Sequence, residues 1–80
     1  LLIYANPSQG KCTITVPDEL FNENNLTLNI FDHNGKLVQQ KNLVMHNGSI
    51  KVNLDQEARG IYHVSLSNGE KTYNGKIVFE

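Results

Sequence analysis

The sequence has 80 residues, of which 39% are hydrophobic and 19% are charged, and this composition is typical of a single globular domain rather than a disordered chain. Its net charge of -1 excludes the overall positive charge that draws proteins to nucleic acids and anionic lipids. The apolar runs are also too short for a membrane-spanning helix. We therefore expect no nucleic-acid partner and no membrane insertion.

The chain begins with Leu1 rather than Met and contains one cysteine, Cys12. We expect it to be a piece cut from a longer protein, or a mature segment. One cysteine cannot form an internal disulfide, the cross-link that usually stabilises small secreted domains. Because Cys12 shares a strand face with Ile14 and Val16, we expect a small buried hydrophobe; the alternative is a reactive or metal-binding thiol.

Alternation of apolar and polar residues, the pattern of half-buried strands, recurs along the whole chain. No segment sustains a helical period. Many short strands separated by turn residues predict an all-β fold, a small immunoglobulin-like antiparallel β-sandwich of about seven strands. The predicted strands are Leu2–Tyr4, Lys11–Pro17, Leu26–Asp32, Lys36–Met45, Ser49–Leu54, Ile61–Ser67 and Lys71–Glu80.

Two longer segments between these strands lack alternation. Pro17–Asn25 is predicted to be a surface loop or a single helical turn, with Phe21 dipping into the core. Asp55–Gly60 is too short for a stable helix and is predicted to be a crossing loop.

Turn residues occupy the remaining connections. Asn47-Gly48 and Asn68-Gly69 each lie between two strands, which predicts type I′ hairpins. Asp32–Gly35 has the pattern of a type I turn, in which the Asp32 carboxylate accepts a backbone hydrogen bond and Gly35 takes the left-handed conformation. Asn6-Pro7, followed by Gly10, is predicted to turn the chain into its second strand.

The polar residues form no recognisable catalytic or metal-binding pattern. The three histidines are scattered, so we expect solvated side chains rather than a catalytic or metal site. An acidic cluster in the first long loop is either solvated or a loose cation site, and calcium binding there stays open. These residues are His33, His46 and His63, and Asp18, Glu19 and Glu23.

The tyrosines Tyr4, Tyr62 and Tyr73 are expected to pack in the core or on a sheet; the alternative is a sugar-binding face. There is no Gly-rich phosphate loop and no zinc ligand set. The residues themselves therefore indicate a small β-sandwich that is not an enzyme and carries no cofactor.

Four segments give a more specific indication when they are taken in order. They are Tyr4–Lys11, Leu28–Val38, Arg59–Leu66 and Gly75–Glu80. Together they resemble the C-terminal sorting domain of the type IX secretion system of Gram-negative bacteria of the Bacteroidetes group. The resemblance covers essentially the whole chain.

The family's motif positions can be assigned residue by residue. Ala5 stands where the family's opening motif has its first proline, which loosens the entry turn. The matching residues are Tyr4, Asn6, Pro7 and Gly10 in the opening motif, Asp32, Gly35 and Val38 in the turn motif, Gly60 and Tyr62 in the strand opening, and Lys76, Ile77, Val78 and Phe79 in the closing strand.

The resemblance implies that residues 1–80 are the sorting domain of a larger cargo protein, following an N-terminal cargo domain. The implied partners are the type IX outer-membrane translocon and a sortase that removes the domain at the surface. The implied destination, by way of the periplasm and the outer membrane, is the cell surface or the medium. The domain itself would catalyse nothing.

Two further expectations concern the last strand. Its edge would allow pairing with a partner strand, so we hypothesise that Lys76–Phe79 belongs to the docking surface, and an edge-strand homodimer is a related expectation. Two other functions stay open at this point: a carbohydrate-binding or adhesion module, and a passive spacer in a secreted multidomain protein.

Overall fold

The computed structural model describes residues 1–5, 9–20, 25–44 and 48–80. Within these ranges the chain forms seven strands and one short 3-10 turn, Asp18–Leu20. The strands are β1 Leu2–Tyr4, β2 Lys11–Thr15, β3 Leu26–Phe31, β4 Leu37–Leu43, β5 Ser49–Asn53, β6 Gly60–Ser67 and β7 Thr72–Phe79.

The strands form two antiparallel sheets. One has three strands in the order β1-β2-β5 and the other has four in the order β4-β3-β6-β7. The sheets pack face to face around one apolar core, so the predicted all-β antiparallel sandwich of about seven strands is confirmed. No helix in the described ranges has the length and apolar character needed to cross a membrane.

The inward residues are those that the alternation predicts. On β3 the buried side chains are Leu26, Leu28 and Ile30, and the polar residues between them face outward. Cys12 is buried as expected, and burial raises the pKa of its thiol. The other large buried side chains include Ile14, Val16, Leu20, Ile50, Val52, Leu54, Tyr62, Val64, Leu66, Ile77 and Phe79.

β4 is the most exposed strand, although it lies opposite the buried residues of β3. Its residues Gln39 and Lys41 pair with Ile30 and Leu28. The side-chain Nε2 of Gln39 donates a hydrogen bond of 2.8 Å to the carbonyl oxygen of Asn53 on β5. This bond connects edge strands of the two sheets along one side of the sandwich.

The opposite side is closed by β1 and β7. The amino group of Leu1 donates to the carbonyl oxygen of Asn74 at 3.1 Å. A Cβ on Gly75 would lie 2.8 Å from Cδ1 of Ile3. A glycine at position 75 thus allows β1 to approach the edge of β7 closely.

The hairpin predicted at Asn47-Gly48 is wrong, because β4 and β5 belong to different sheets. The hydrophobic pattern explains the error. Ile50 and Val52 lie on β5, which pairs with β2, and their side chains are buried between the two sheets. If β5 paired with β4 instead, it would be part of the larger sheet and could not pack against that sheet. Asn47 itself lies outside the described residues.

The hairpin at Asn68-Gly69 is confirmed, because β6 and β7 pair on either side of it. Its predicted type I′ geometry is wrong. Gly69 has a φ of 95°, but no described residue other than glycine has a positive φ. Instead, Oδ1 of Asn68 accepts the backbone N–H groups of Glu70 and Lys71 at 2.9 and 2.8 Å, so the side chain closes the turn.

The two longer connections follow the predicted alternatives. Asp18–Leu20 forms a single 3-10 turn whose buried residue is Leu20; Phe21 lies outside the described residues. The segment Asp55–Gly60 crosses from β5 in the smaller sheet to β6 in the larger one, as predicted.

Candidate functional site

The turn that contains Asp32 closes as the sequence predicts. Its carboxylate Oδ1 accepts the N–H groups of Asn34 and Lys36 at 2.9 and 3.0 Å. The N–H of Gly35 donates to the carbonyl of Asp32 at 2.9 Å, and Gly35 has a φ of 83°. The backbone hydrogen bond from Lys36 is the main reason why the pKa of Asp32 is lowered; the bond from Asn34 and the nearby His33 and Lys36 charges act in the same direction.

Tyr62 anchors the crossing loop that ends at β6. Its ring is buried, and its hydroxyl donates a hydrogen bond to the carbonyl oxygen of Ala58, four residues upstream. This arrangement is the tyrosine corner of immunoglobulin-like sandwiches. Burial raises the pKa of the Tyr62 hydroxyl, and the carboxylates of Glu57 and Asp32 raise it further.

Gly10 connects the first hairpin to the same crossing loop. Its carbonyl accepts the N–H of Leu54 at 2.6 Å. With a φ of 120°, Gly10 has a conformation that residues with a Cβ rarely adopt. An added Cβ would run into the carboxylate of Asp55 and lie 3.5 Å from Cε1 of Phe79.

Strand pairing brings separate sequence motifs to one end of the sandwich, which we call the motif end: Gly10, the turn 32–35, the loop 55–60 and the end of β7. Gly60 pairs with Phe79, and Tyr62 pairs with Ile77. A cavity of about 160 Å³ at this end is lined by ten residues, Asp32, Val38, Gly60 and Tyr62 among them.

The closing strand, in contrast, divides its residues between core and surface. Ile77 and Phe79 are buried, so their side chains are not available to a partner. Lys76 is exposed and Val78 is half-buried on the outer face. The hypothesis that Lys76–Phe79 forms a docking surface can therefore involve only the side chains of Lys76 and Val78.

The opening motif is only partly described. Tyr4 is 53% exposed and pairs with Thr13 at the edge of the smaller sheet. Asn6 and Pro7 lie outside the described residues. Most motif residues that the structure does describe hold backbone groups or fill the core, and Tyr4 and Lys76 are among the few with an exposed side chain.

Three residues that sequence reasoning missed form an apolar cluster at the motif end together with Val78 of the closing strand. We call Phe31, Leu37, Ile61 and Val78 the outer patch. Phe31 pairs with Leu37, and Ile61 pairs with Val78. Leu37 and Ile61 are 44% and 43% exposed, while Phe31 and Val78 are half-buried. The outer patch thus extends over all four strands of the larger sheet.

Part of the outer patch can be recognised in the sequence, because its apolar residues interrupt the alternation of apolar and polar residues along two strands. Ile61 shares its strand face with His63, Ser65 and Ser67. Val78 likewise stands on the face of β7 that otherwise carries polar residues. An apolar residue at a position where the pattern predicts a polar one marks an exposed apolar site.

The other candidate residues form no joint site. His33 and His63 are exposed on different elements, and His46 lies outside the described residues. Within the described ranges, no group of three His, Cys, Asp or Glu side chains could hold a metal ion. Of the acidic cluster, Asp18 and Glu19 lie in the 3-10 turn, and Glu23 is not described.

The three tyrosines do not share a face. Tyr62 is in the core, Tyr4 is on the smaller sheet, and Tyr73 packs partly against the core. The hydroxyl of Tyr73 donates to the carboxylate of Glu19 at 2.9 Å. This bond raises the pKa of Tyr73, with contributions from burial and from the charge of Glu19. The expectation of a core or sheet-packing role is confirmed for Tyr62 and Tyr73.

Comparison with known protein families identifies the domain. The family model of the secretion system C-terminal sorting domain matches residues 2–80. A comparison with curated proteins gives no significant match. The matched family provides the C-terminal sorting signal of type IX secretion, which implies a secreted or cell-surface protein with a cargo part that meets the type IX machinery. The chain thus belongs to the type IX secretion C-terminal sorting domains.

Proposed function

We propose that the outer patch is the surface by which the type IX outer-membrane translocon recognises this sorting domain. The observation that carries the proposal is the position of the patch: two exposed and two half-buried apolar side chains lie together at the motif end. Contiguous exposed apolar side chains on a small domain are typical of an interaction site. Burying them against a partner would contribute about 25 cal/mol per Å² of apolar surface.

The motif residues support this proposal indirectly. Asp32, Gly35 and Tyr62 shape the turn and the loop beside the patch. A motif of this kind keeps the recognised surface in place without contacting the partner. The edges of the patch carry His63 and Lys76, which lie next to Phe31 and Val78 along the sheet.

Strand addition at β7 is the less favoured mode of docking. β1 lies against the edge of β7 at Asn74 and Gly75, so a partner strand would have to displace residues 1–3 there. The edge-strand homodimer depends on the same edge and stays a prediction.

The domain acts by being recognised, not by catalysis. A sortase then removes it at the surface, and the N-terminal cargo domain is released or anchored there. What supports a domain without catalysis is that the motif residues Asp32 and Tyr62 use their side-chain hydrogen bonds on backbone groups of their own loops.

A reporter fusion tests the proposal. The 80 residues are attached to the C-terminus of a fluorescent protein with a periplasmic signal peptide and expressed in a host with a working type IX system. The Ile61→Asp variant should lower the reporter at the surface or in the medium about tenfold, since an interface anchor contributes about 1–2 kcal/mol. The same fusion in a translocon-deficient host shows the background.

Val44→Asp is the matched control, because Val44 is also an exposed β-branched residue, 55% exposed, but lies beyond the end of β4 and outside the patch. Both variants should melt at the temperature of the unmodified chain. Equal export of the two variants would show that the translocon does not use the outer patch. Reporter retained in the periplasm of both hosts by the unmodified, folded domain would instead contradict the sorting function itself.

A further inference from the structure

Three of the seven basic residues of this nearly neutral chain line one cleft. Lys11, Lys41 and Lys51 surround a cavity of about 310 Å³. The sequence separates them by 30 and 10 residues, so no run of consecutive basic residues indicates the site. We call this cavity the lysine cleft.

The fold explains how the three side chains meet. Lys11 on β2 pairs with Asn53, and Lys51 on β5 pairs with Thr13. Lys11 and Lys51 are therefore diagonal neighbours on the outer face of the smaller sheet, with Cα atoms about 7–8 Å apart. Lys41 comes from β4, beside the place where Gln39 of the same strand hydrogen-bonds to Asn53.

The positive charge of the lysine cleft is barely compensated. No Asp or Glu lines it. Within the described ranges, the ion pair at the cleft is a long one, 3.9 Å between Nζ of Lys11 and Oδ2 of Asp55, and the Lys11 side chain is 75% exposed. Lys41 and Lys51 have no carboxylate partner among the described residues. Like charges held together repel one another, so an anion bound here would relieve the repulsion.

The other residues that line the cleft indicate which kind of molecule would carry the bound anionic group. Tyr4 on β1, 53% exposed, contributes an aromatic side chain to the lining of the cleft. Thr13 offers a hydroxyl and Asn53 an amide. A ligand with an apolar face, several hydroxyls and a negative group matches this lining, and 310 Å³ lies at the lower end of the range for small-molecule sites.

We infer that the lysine cleft binds an anionic sugar, that is, a sugar phosphate or a uronic acid. The anionic group sits among the three ammonium groups, and the sugar ring lies against Tyr4. The site lies mainly on the smaller sheet, with Lys41 reaching it from the edge strand β4, and it shares no residue with the outer patch, so the inference does not depend on the proposed docking surface.

The test is a titration of the ¹⁵N-labelled 80-residue chain, followed by NMR. The probes are glucose 1-phosphate and glucuronate, with glucose and inorganic phosphate for comparison. Both anionic sugars should produce saturable shifts of the amides of Tyr4, Thr13 and Lys51. Inorganic phosphate should bind more weakly than glucose 1-phosphate, and raised salt should weaken all binding because it screens exposed charges.

Variants assign the binding to the cleft. Lys41→Gln and Lys51→Gln should each raise the Kd for glucose 1-phosphate about two- to fivefold, the usual effect of one exposed charge. Lys71→Gln makes the same charge change in the β6–β7 turn, away from the cleft, and should leave the Kd unchanged. Tyr4→Ala should weaken glucose 1-phosphate but not inorganic phosphate.

Four results would overturn the inference. They are the absence of saturable shifts with both anionic sugars, an equal loss of affinity in Lys71→Gln, binding of glucose as tight as that of its phosphate, and binding of inorganic phosphate as tight as that of the sugar phosphate. The first two results would show that the lysine cleft is not a binding site for these ligands. The third would show that a negative group is not required, and the fourth that the sugar contributes nothing to the affinity.

Discussion

At the scale of single residues, Asp32 and Tyr62 have the same task. Each uses one side-chain oxygen to hold backbone groups of a loop at the motif end. Unpaired backbone groups in a tight loop favour other conformations or water, so one well-placed side chain can decide the shape of the loop. Both residues were expected to belong to sorting motifs, and the structure shows what each of them does for the fold.

Removing the hydroxyl of Tyr62 should destabilise the domain. In Tyr62→Phe the ring still fills the core, but the carbonyl of Ala58 loses its donor. We expect a loss of about 1–2 kcal/mol in the free energy of unfolding, measured by urea denaturation. Tyr4→Phe is the control, since Tyr4 is largely exposed, and should change little. An unchanged urea midpoint for Tyr62→Phe would show that the tyrosine corner contributes nothing.

Asp32 should make stability depend on pH in the acid range. Because the pKa of Asp32 in the folded chain lies below its ordinary value of 3.8, the carboxylate stabilises the fold above the pKa of the unfolded chain. That stabilisation is lost as the pH falls below 3.8 and through the lower, folded pKa.

Asp32→Asn isolates this effect, because the amide oxygen can still accept the turn hydrogen bonds without a charge. The difference in unfolding free energy between the unmodified chain and the variant should be largest at neutral pH and shrink below pH 3.8. Asp18→Asn, in the exposed 3-10 turn, serves as the control. A difference that stays constant from neutral to acid pH would exclude Asp32 as the titrating group.

At the scale of elements, a strand has two faces, and the two faces of β7 serve different purposes. Ile77 and Phe79 complete the core, while Val78 belongs to the outer patch. A large deletion cannot separate these two purposes. Point substitutions on the outer face of the sheet, such as Ile61→Asp on β6 opposite Val78, can separate them.

Deletion of residues 75–80 should therefore unfold the domain. Losing Ile77 and Phe79 removes two buried side chains, each worth about 2–5 kcal/mol, from a small domain whose total stability is about 5–15 kcal/mol. Far-UV circular dichroism should show loss of the β-signal. Removal of Glu80 alone, which lies beyond β7 and is exposed, should leave the fold intact. A folded deletion variant would show that the core does not need the end of β7.

At the scale of the whole molecule, the sandwich places its two candidate surfaces on opposite sides. The outer patch lies on the outer face of the larger sheet, and the lysine cleft lies mainly on that of the smaller sheet, with Lys41 added from the edge strand β4. Because the inner faces are packed together, a partner on one side leaves the other side accessible. A net charge of -1 conceals this arrangement, since a sum over the chain does not report where the charges gather.

The sequence by itself determined the strands, their inward faces and the family. Period-two alternation and turn residues act locally, so Leu26, Leu28 and Ile30 could be assigned to the core, and Asp32 and Gly35 to a turn, without knowledge of any partner strand. The motifs in their order indicated the sorting domain, and the family match over residues 2–80 confirms it.

Only the tertiary structure decided which strands pair and which residues meet as a result. β5 follows β4 in the chain but pairs with β2 in the other sheet, a choice that depends on burying Ile50 and Val52. The outer patch and the lysine cleft follow from such pairings, as in the meeting of Lys11 and Lys51 across 40 residues of chain. Local patterns report on a residue and its neighbours in sequence, whereas a binding surface depends on neighbours in space.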